Sequence, residues 1–97
     1  MVLTPINVLR RARDLVEAGW TQGVSMRHVN GEPHYCVGGA IDQASGFLQL
    51  PYCASVGVFA SANGLQCVRF WNDQEGRTKD QVLRAFDKAI AYAEAQP

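Results

Sequence analysis

The sequence predicts an α+β fold: a β-hairpin, with residues 65–70 as a candidate third strand, packed against about four helices. Three observations carry this. An amphipathic stripe with helix-start signals lies at each end of the chain, Asn30-Gly31 sits between two short strand-like runs, and the middle is rich in small residues bounded by glycines. With 97 residues and no linker, repeat or low-complexity stretch, residues 1–97 are expected to form one domain.

The first helix starts at Thr4, an N-cap residue, with Pro5 at the first helical position, where a missing N–H costs nothing. Val8, Leu9, Ala12, Leu15 and Val16 form one buried stripe. Gly19 is expected to end the helix in a left-handed cap, folding Trp20 back over Leu15.

"TQGVSMRHVNGEPHYCV" reads as the hairpin, because both central residues of a type I′ turn need positive φ and Asn-Gly accepts it. A two-residue turn places Val29 opposite Glu32, Arg27 opposite His34, Met26 opposite Tyr35 and Ser25 opposite Cys36. Val24, Met26, Tyr35 and Val37 then share a core-like face, and Ser25, Arg27, His34 and Cys36 a polar one. Pro33 confines the second strand to an edge.

"VGGAIDQASG" is expected to be a short helix stopped by Gly46. Its two glycines imply that a neighbouring backbone packs closely on the Gly38-Gly39 surface. A third helix runs from Pro51 to Gly64. "LQCVRFW" has strand composition, and "NDQEGR" reads as a loop. In the last helix Thr78 and Gln81 make a capping-box pattern, and Val82, Leu83, Phe86, Ala89, Ile90 and Ala93 form the stripe. Asp80 and Arg84 are placed as a pair on its outer side.

Nine basic and nine acidic residues cancel, so the chain lacks the cationic excess with which duplex-binding domains neutralise phosphates. Arg10, Arg11 and Arg13 cluster on the first helix and read as a solvated face. Zero net charge removes colloidal repulsion and favours self-association. No transmembrane run or signal peptide is read, and three cysteines without a secretory signal point to a reducing cytoplasm. Cys36, Cys53 and Cys67 are spaced too widely for a zinc knuckle, so neither a metal nor a cofactor is expected.

"EAGWTQG", "NGEP" followed by "CVGGAI", and "FWNDQEGRT" leading into "QVLRAFDKAIAYA" resemble a small domain-of-unknown-function family of actinobacteria and their bacteriophages. That pattern combines a leading helix closed by Gly-Trp, a Cys-x-x-Gly-Ala-aliphatic segment, a Trp-Asn-Asp motif and an Arg-Thr capped final helix. The resemblance covers nearly the whole chain and implies a fold and a bacterial or phage cytoplasmic setting, but no reaction. The chain is more compact than the pattern between "NGEP" and Cys36.

Cys36 is the first candidate catalytic residue, since a helix N-terminus stabilises a thiolate. His34 or His28 would be its base, and Asn72 or Asp73 the group that orients it, as in a cysteine hydrolase or transferase. Residues i and i+2 of a strand stand ~6.5–7 Å apart, however, and catalytic pairs usually come from different elements. The competing reading makes Cys36 a small buried residue at a tight junction. Asn72 and Asp73 are weighed likewise, as turn-forming residues or as a polar recognition point, with Trp71 filling the core. Cys53 and Cys67 are read as core fillers. Arg27, His28 and His34 on the hairpin, with Phe47, Leu48 and Tyr52 in "GFLQLPY", form a candidate contact surface for a protein partner or a second copy. A third alternative is an anionic ligand held at the Gly38-Gly39 helix N-terminus, although no phosphate-loop Lys or Thr follows. The reading favoured by the sequence is a non-catalytic protein-binding module.

Overall fold

The computed structural model describes residues 2–96. Five helices and one hairpin follow in the order α1 (Pro5–Ala18), β1 (Met26–Val29), β2 (Glu32–Tyr35), α2 (Val37–Ala44), α3 (Gln49–Asn63), α4 (Val68–Asn72) and α5 (Lys79–Ala95). The Cα radius of gyration of 12.2 Å matches the ~12.5 Å expected of a single folded domain of this length.

The terminal helices form as their stripes predict. Thr4 accepts a hydrogen bond from the Asn7 amide, and Val8, Leu9, Ala12 and Val16 are buried. Thr78 and Gln81 close the capping box reciprocally. Helices α1, α3 and α5 pack around Phe59 and Phe86, whose rings meet edge-to-face at 4.9 Å. Two of the three clustered arginines of α1 join this packing from outside: Arg10 pairs with Glu94 and Arg13 with Asp87, while Arg11 stays exposed. Among the described residues the ion pairs of α5 therefore run to α1, and Asp80 and Arg84 form none.

The hairpin has the predicted register, with Met26 opposite Tyr35 and Arg27 opposite His34. Asn30 and Gly31 adopt φ of 53° and 82°, as a type I′ turn requires. Its faces follow the expectation in part: Val37 is buried and Tyr35 half-buried, with Ser25 and Arg27 exposed. Val24 and Met26 are exposed, however, and Cys36, from the face read as polar, is buried. The cause is that β1 projects away from the helices and only its base is anchored, through the Cys36 amide to the Ser25 carbonyl at 3.1 Å.

Three further expectations are corrected. Residues 65–70 do not form a strand: Val68–Asn72 is a helical turn and a half, and the sheet has two strands. The half-buried or buried residues Leu65, Val68, Trp71 and Asn72 recur at three- and four-residue steps, a helical period that the β-like composition disguised. Gly19 is not a left-handed cap but extended, with φ of −172°. It must be glycine because a Cβ there would fall 2.7 Å from the Pro33 carbonyl oxygen and 2.8 Å from the His34 ring. Cys53 and Cys67 are not core fillers; both are exposed. No helix is long and apolar enough to cross a membrane among the described residues.

Candidate functional site

Two polar regions flank α2, and the structure builds each from residues far apart in sequence. The first centres on Asn72, the last residue of α4, whose side chain is fully buried. Its Oδ1 accepts from the Trp20 indole N–H at 2.9 Å and from the Val37 amide at 3.1 Å. Its Nδ2 donates to the Thr21 carbonyl at 3.2 Å and to Asp73 Oδ1 at 2.9 Å. One amide thus ties the end of α1, the loop after it, the start of α2 and the end of α4 together. Asp73 continues the knot by accepting from the Gly23 amide at 2.9 Å. That bond, with those from Asn72 and the nearby Arg69 charge, holds the Asp73 carboxyl below its ordinary value. Trp71 packs edge-on against Phe59, and Arg77 lies 4.1 Å over its ring.

The second region is a cleft of about 270 Å³ between α2, α3 and α4, bordered by Ser25 at the hairpin base. Cys36 stands at its inner end as the N-cap of α2, where Sγ accepts the Gly39 amide at 3.2 Å. Cys67 plays the same part for α4, accepting from the Phe70 amide at 3.4 Å, and lines the same cleft. Gly39 is required by packing: a Cβ there would fall 2.7 Å from the Ser25 carbonyl carbon and closer still to its oxygen. Gly38, next to it, meets no such obstacle, since its Cβ would sit 3.6 Å from the Tyr52 hydroxyl and 3.9 Å from Cys36 Sγ.

Tyr52 of α3, Asp42 of α2 and Arg69 of α4 all line the cleft, together with the apolar Val56 and Val68. Burial, and then the Asp42 charge, push the Tyr52 phenol above its ordinary value. Thiols and a carboxylate share this cleft, yet no group of three metal-binding side chains is arranged to hold an ion among the described residues.

The proposed catalytic pair, Cys36 and His34, engages different neighbours. His34 does not line the cleft. Its ring packs on Gly19, and Nδ1 lies 3.3 Å from the Trp20 carbonyl oxygen. His28 is exposed on β1, near the hairpin tip, and Arg27 beside it bends back to donate to the Gln22 carbonyl at 3.1 Å. Of the expected recognition pair, Asn72 is enclosed by protein and Asp73 is spent on the Gly23 amide.

The turn between α2 and α3 behaves differently. Phe47, Leu48 and Leu50 are 66%, 54% and 84% exposed. Phe47 also holds a left-handed φ of 61°, directly after Gly46 at 65°. Its amide donates to the Asp42 carbonyl at 2.9 Å, so the turn continues from the helix wall of the cleft. Tyr52, one turn into α3, links back to Leu48 through its own amide at 3.1 Å.

Sequence reasoning missed Asp42, Arg69 and Cys67 as cleft residues. Asp42 carried no signal beyond being a charge in a helix, and Arg69 and Cys67 were hidden in a segment read as a strand.

These features define a small α+β domain with an open, helix-walled cleft and an exposed apolar turn. The chain belongs to the Family of unknown function (DUF6197), whose family model matches residues 1–92. No curated protein and no solved structure matches it significantly.

Proposed function

We propose that this domain is a non-catalytic protein-binding module that associates with a second copy of itself through the Gly46–Leu50 turn. The observation that carries the reading is Phe47, a large aromatic two-thirds exposed and held at a φ of 61° that disfavours side chains. A left-handed non-glycine residue costs about 1–2 kcal/mol, and here no burial within the chain offsets it. Leu48 and Leu50 extend the apolar surface without a charge, and the chain's zero net charge sets no long-range barrier between copies. The setting is that implied by the resemblance, the cytoplasm of an actinobacterium or of one infected by a phage. A host protein is the other candidate occupant of the same turn.

Sedimentation of the purified chain over a wide concentration range tests this. A reversible dimer is expected, and Leu50→Asp should dissolve it while leaving the circular dichroism unchanged, because an acidic residue in the first turn of α3 complements the helix dipole. A chain that stays monomeric at millimolar concentration, or a dimer indifferent to Leu50→Asp, would overturn self-association through this turn.

The cysteine-enzyme reading gains no support from Cys36, because the residues that line its cleft include no histidine. The anion reading gains none from Gly38-Gly39, because Cys36 Sγ already takes the Gly39 amide.

A further inference from the structure

We infer that the cleft between α2, α3 and α4 is a binding site for a small zwitterion of the ω-amino acid class, its ammonium toward Asp42 and Tyr52 and its carboxylate toward Arg69. The inference is separate from docking at the exposed turn.

Its basis is a set of opposite charges that share one cleft without pairing. Asp42 is half-buried, and among the described residues its carboxylate has neither an ion pair nor a hydrogen bond. Tyr52 contributes a phenol, also half-buried and likewise without a protein partner among the described residues. Arg69, which lines the same cleft from α4, reaches Asp73 through Nε at 3.9 Å, which leaves its terminal amino groups for another carboxylate. A half-buried carboxylate is most stable opposite a cation, and a guanidinium opposite a planar carboxylate it can grip with two N–H groups. A ligand bearing both charges satisfies both groups at once. Val56 and Val68 line the same cleft and suit a short run of methylenes.

Gly38 supplies an independent observation. Its neighbour Gly39 is glycine because of the Ser25 carbonyl, but a Cβ on Gly38 would meet only ordinary contacts at 3.6 and 3.9 Å, and its φ is not left-handed. Within a helix glycine costs roughly 0.5–1 kcal/mol relative to alanine. No packing within the chain requires this one. What the missing Cβ does is keep the floor of the cleft clear beside the Tyr52 hydroxyl.

The test is an amide-resolved NMR titration of the full chain with γ-aminobutyrate and ε-aminocaproate, against caproate and hexylamine, which each carry one of the two charges. Saturable shifts at Gly38, Asp42 and Arg69 are expected for at least one zwitterion, at about tenfold or better affinity than either singly charged probe. Asp42→Asn should abolish the zwitterion's advantage over caproate, and Arg69→Gln its advantage over hexylamine. Gly38→Ala should fold at least as well as the parent and lose binding. Gly57→Ala, at an exposed position of α3 where a Cβ meets nothing within 4 Å, should keep binding and so controls for helix propensity. The absence of saturable shifts, equal affinity for all four probes, or undiminished binding by Gly38→Ala would each overturn the assignment.

Discussion

The knot around Asn72 and the cleft beside Asp42 each combine a carboxylate, an aromatic and an arginine, yet the fold uses them in opposite ways. Asn72 has Oδ1 and Nδ2 each engaged twice, inside a fully buried site. Asp42, Tyr52 and Arg69 border an opening, and two of the three find no side-chain partner among the described residues. A buried polar group must be paired or it destabilises the fold. A polar group in an open cleft is under no such constraint, because water serves it until something else does. The difference separates residues that hold the chain together from residues left over to meet something outside it. Trp-Asn-Asp, the motif that looks most like a recognition signature, falls on the structural side.

The largest expected effect is therefore at Asn72. Asn72→Ala strands the Trp20 indole, the Val37 amide and the Thr21 carbonyl together, and each such loss costs about 1–3 kcal/mol. A loss of about 3 kcal/mol or more is expected from a total on the order of 5–15 kcal/mol. Urea denaturation followed by tryptophan fluorescence would show the midpoint falling steeply. Asp42→Asn should leave the midpoint nearly unchanged, and a midpoint that fell as far as for Asn72→Ala would erase the contrast.

What was legible in the sequence divides along similar lines. Helices α1 and α5 and the hairpin register could be read because the signals are local: a cap, a periodic stripe, and an Asn-Gly pair that needs positive φ. Helix α4 could not, since Cys, Val, Phe and Trp favour strands in general, and only burial by Phe59 and α2 shows which of them face inward. Gly19 was read through the commonest use of glycine at a helix end, whereas its true constraint is the Pro33 carbonyl, a contact between segments fourteen residues apart. In the cleft, Cys36 was recognisable as a helix N-cap and Tyr52 as part of an exposed run. Asp42 and Arg69 were not recognisable as sharing one cleft, because their juxtaposition depends on α4 being a helix. The exposure of Cys53 and Cys67 runs against the general burial of cysteine and left no local trace.

The two neighbouring glycines of α2 sharpen the contrast at the next level of effect. Gly39→Ala drives a methyl into the backbone of Ser25, which flexible side chains cannot relieve, and overpacking of this kind costs typically about 1–3 kcal/mol. The hairpin base, anchored by the Cys36 amide, should loosen with it. Hydrogen exchange at Cys36 would therefore accelerate in Gly39→Ala and not in Gly38→Ala. Equal protection in the two variants would mean that the close approach of Ser25 is not what requires the glycine.

A smaller effect is expected at Asp73, on the edge of the knot. Its carboxyl is held below the ordinary value chiefly by the Gly23 amide, so it contributes stability above the unfolded-state value of ~3.9 and loses it as pH falls through the lowered folded value. Asp73→Asn keeps an acceptor for Gly23 but not a charged one, which is worth about 1 kcal/mol. Thermal unfolding of the two chains should differ at pH 7 and converge only as the pH falls through the lowered folded-state value. A difference that persisted at low pH would assign the effect to shape instead of charge.

The smallest expected change in stability has the opposite sign and falls in the turn beside the cleft. Phe47→Gly removes the strain of a left-handed aromatic, about 1–2 kcal/mol, but adds freedom to the unfolded chain worth about 0.4–1 kcal/mol. The isolated chain should gain only about 0.5 kcal/mol as the balance of these two. At the same time the variant loses an aromatic surface that is 66% exposed. If the turn serves association, Phe47→Gly raises the unfolding midpoint measured at high dilution and lowers it, relative to the parent, at concentrations where the parent is a dimer, since association adds stability by mass action. A gain that is the same at every concentration would mean that Phe47 contacts no second copy, and its strained, exposed position would then have to be accounted for by a different partner.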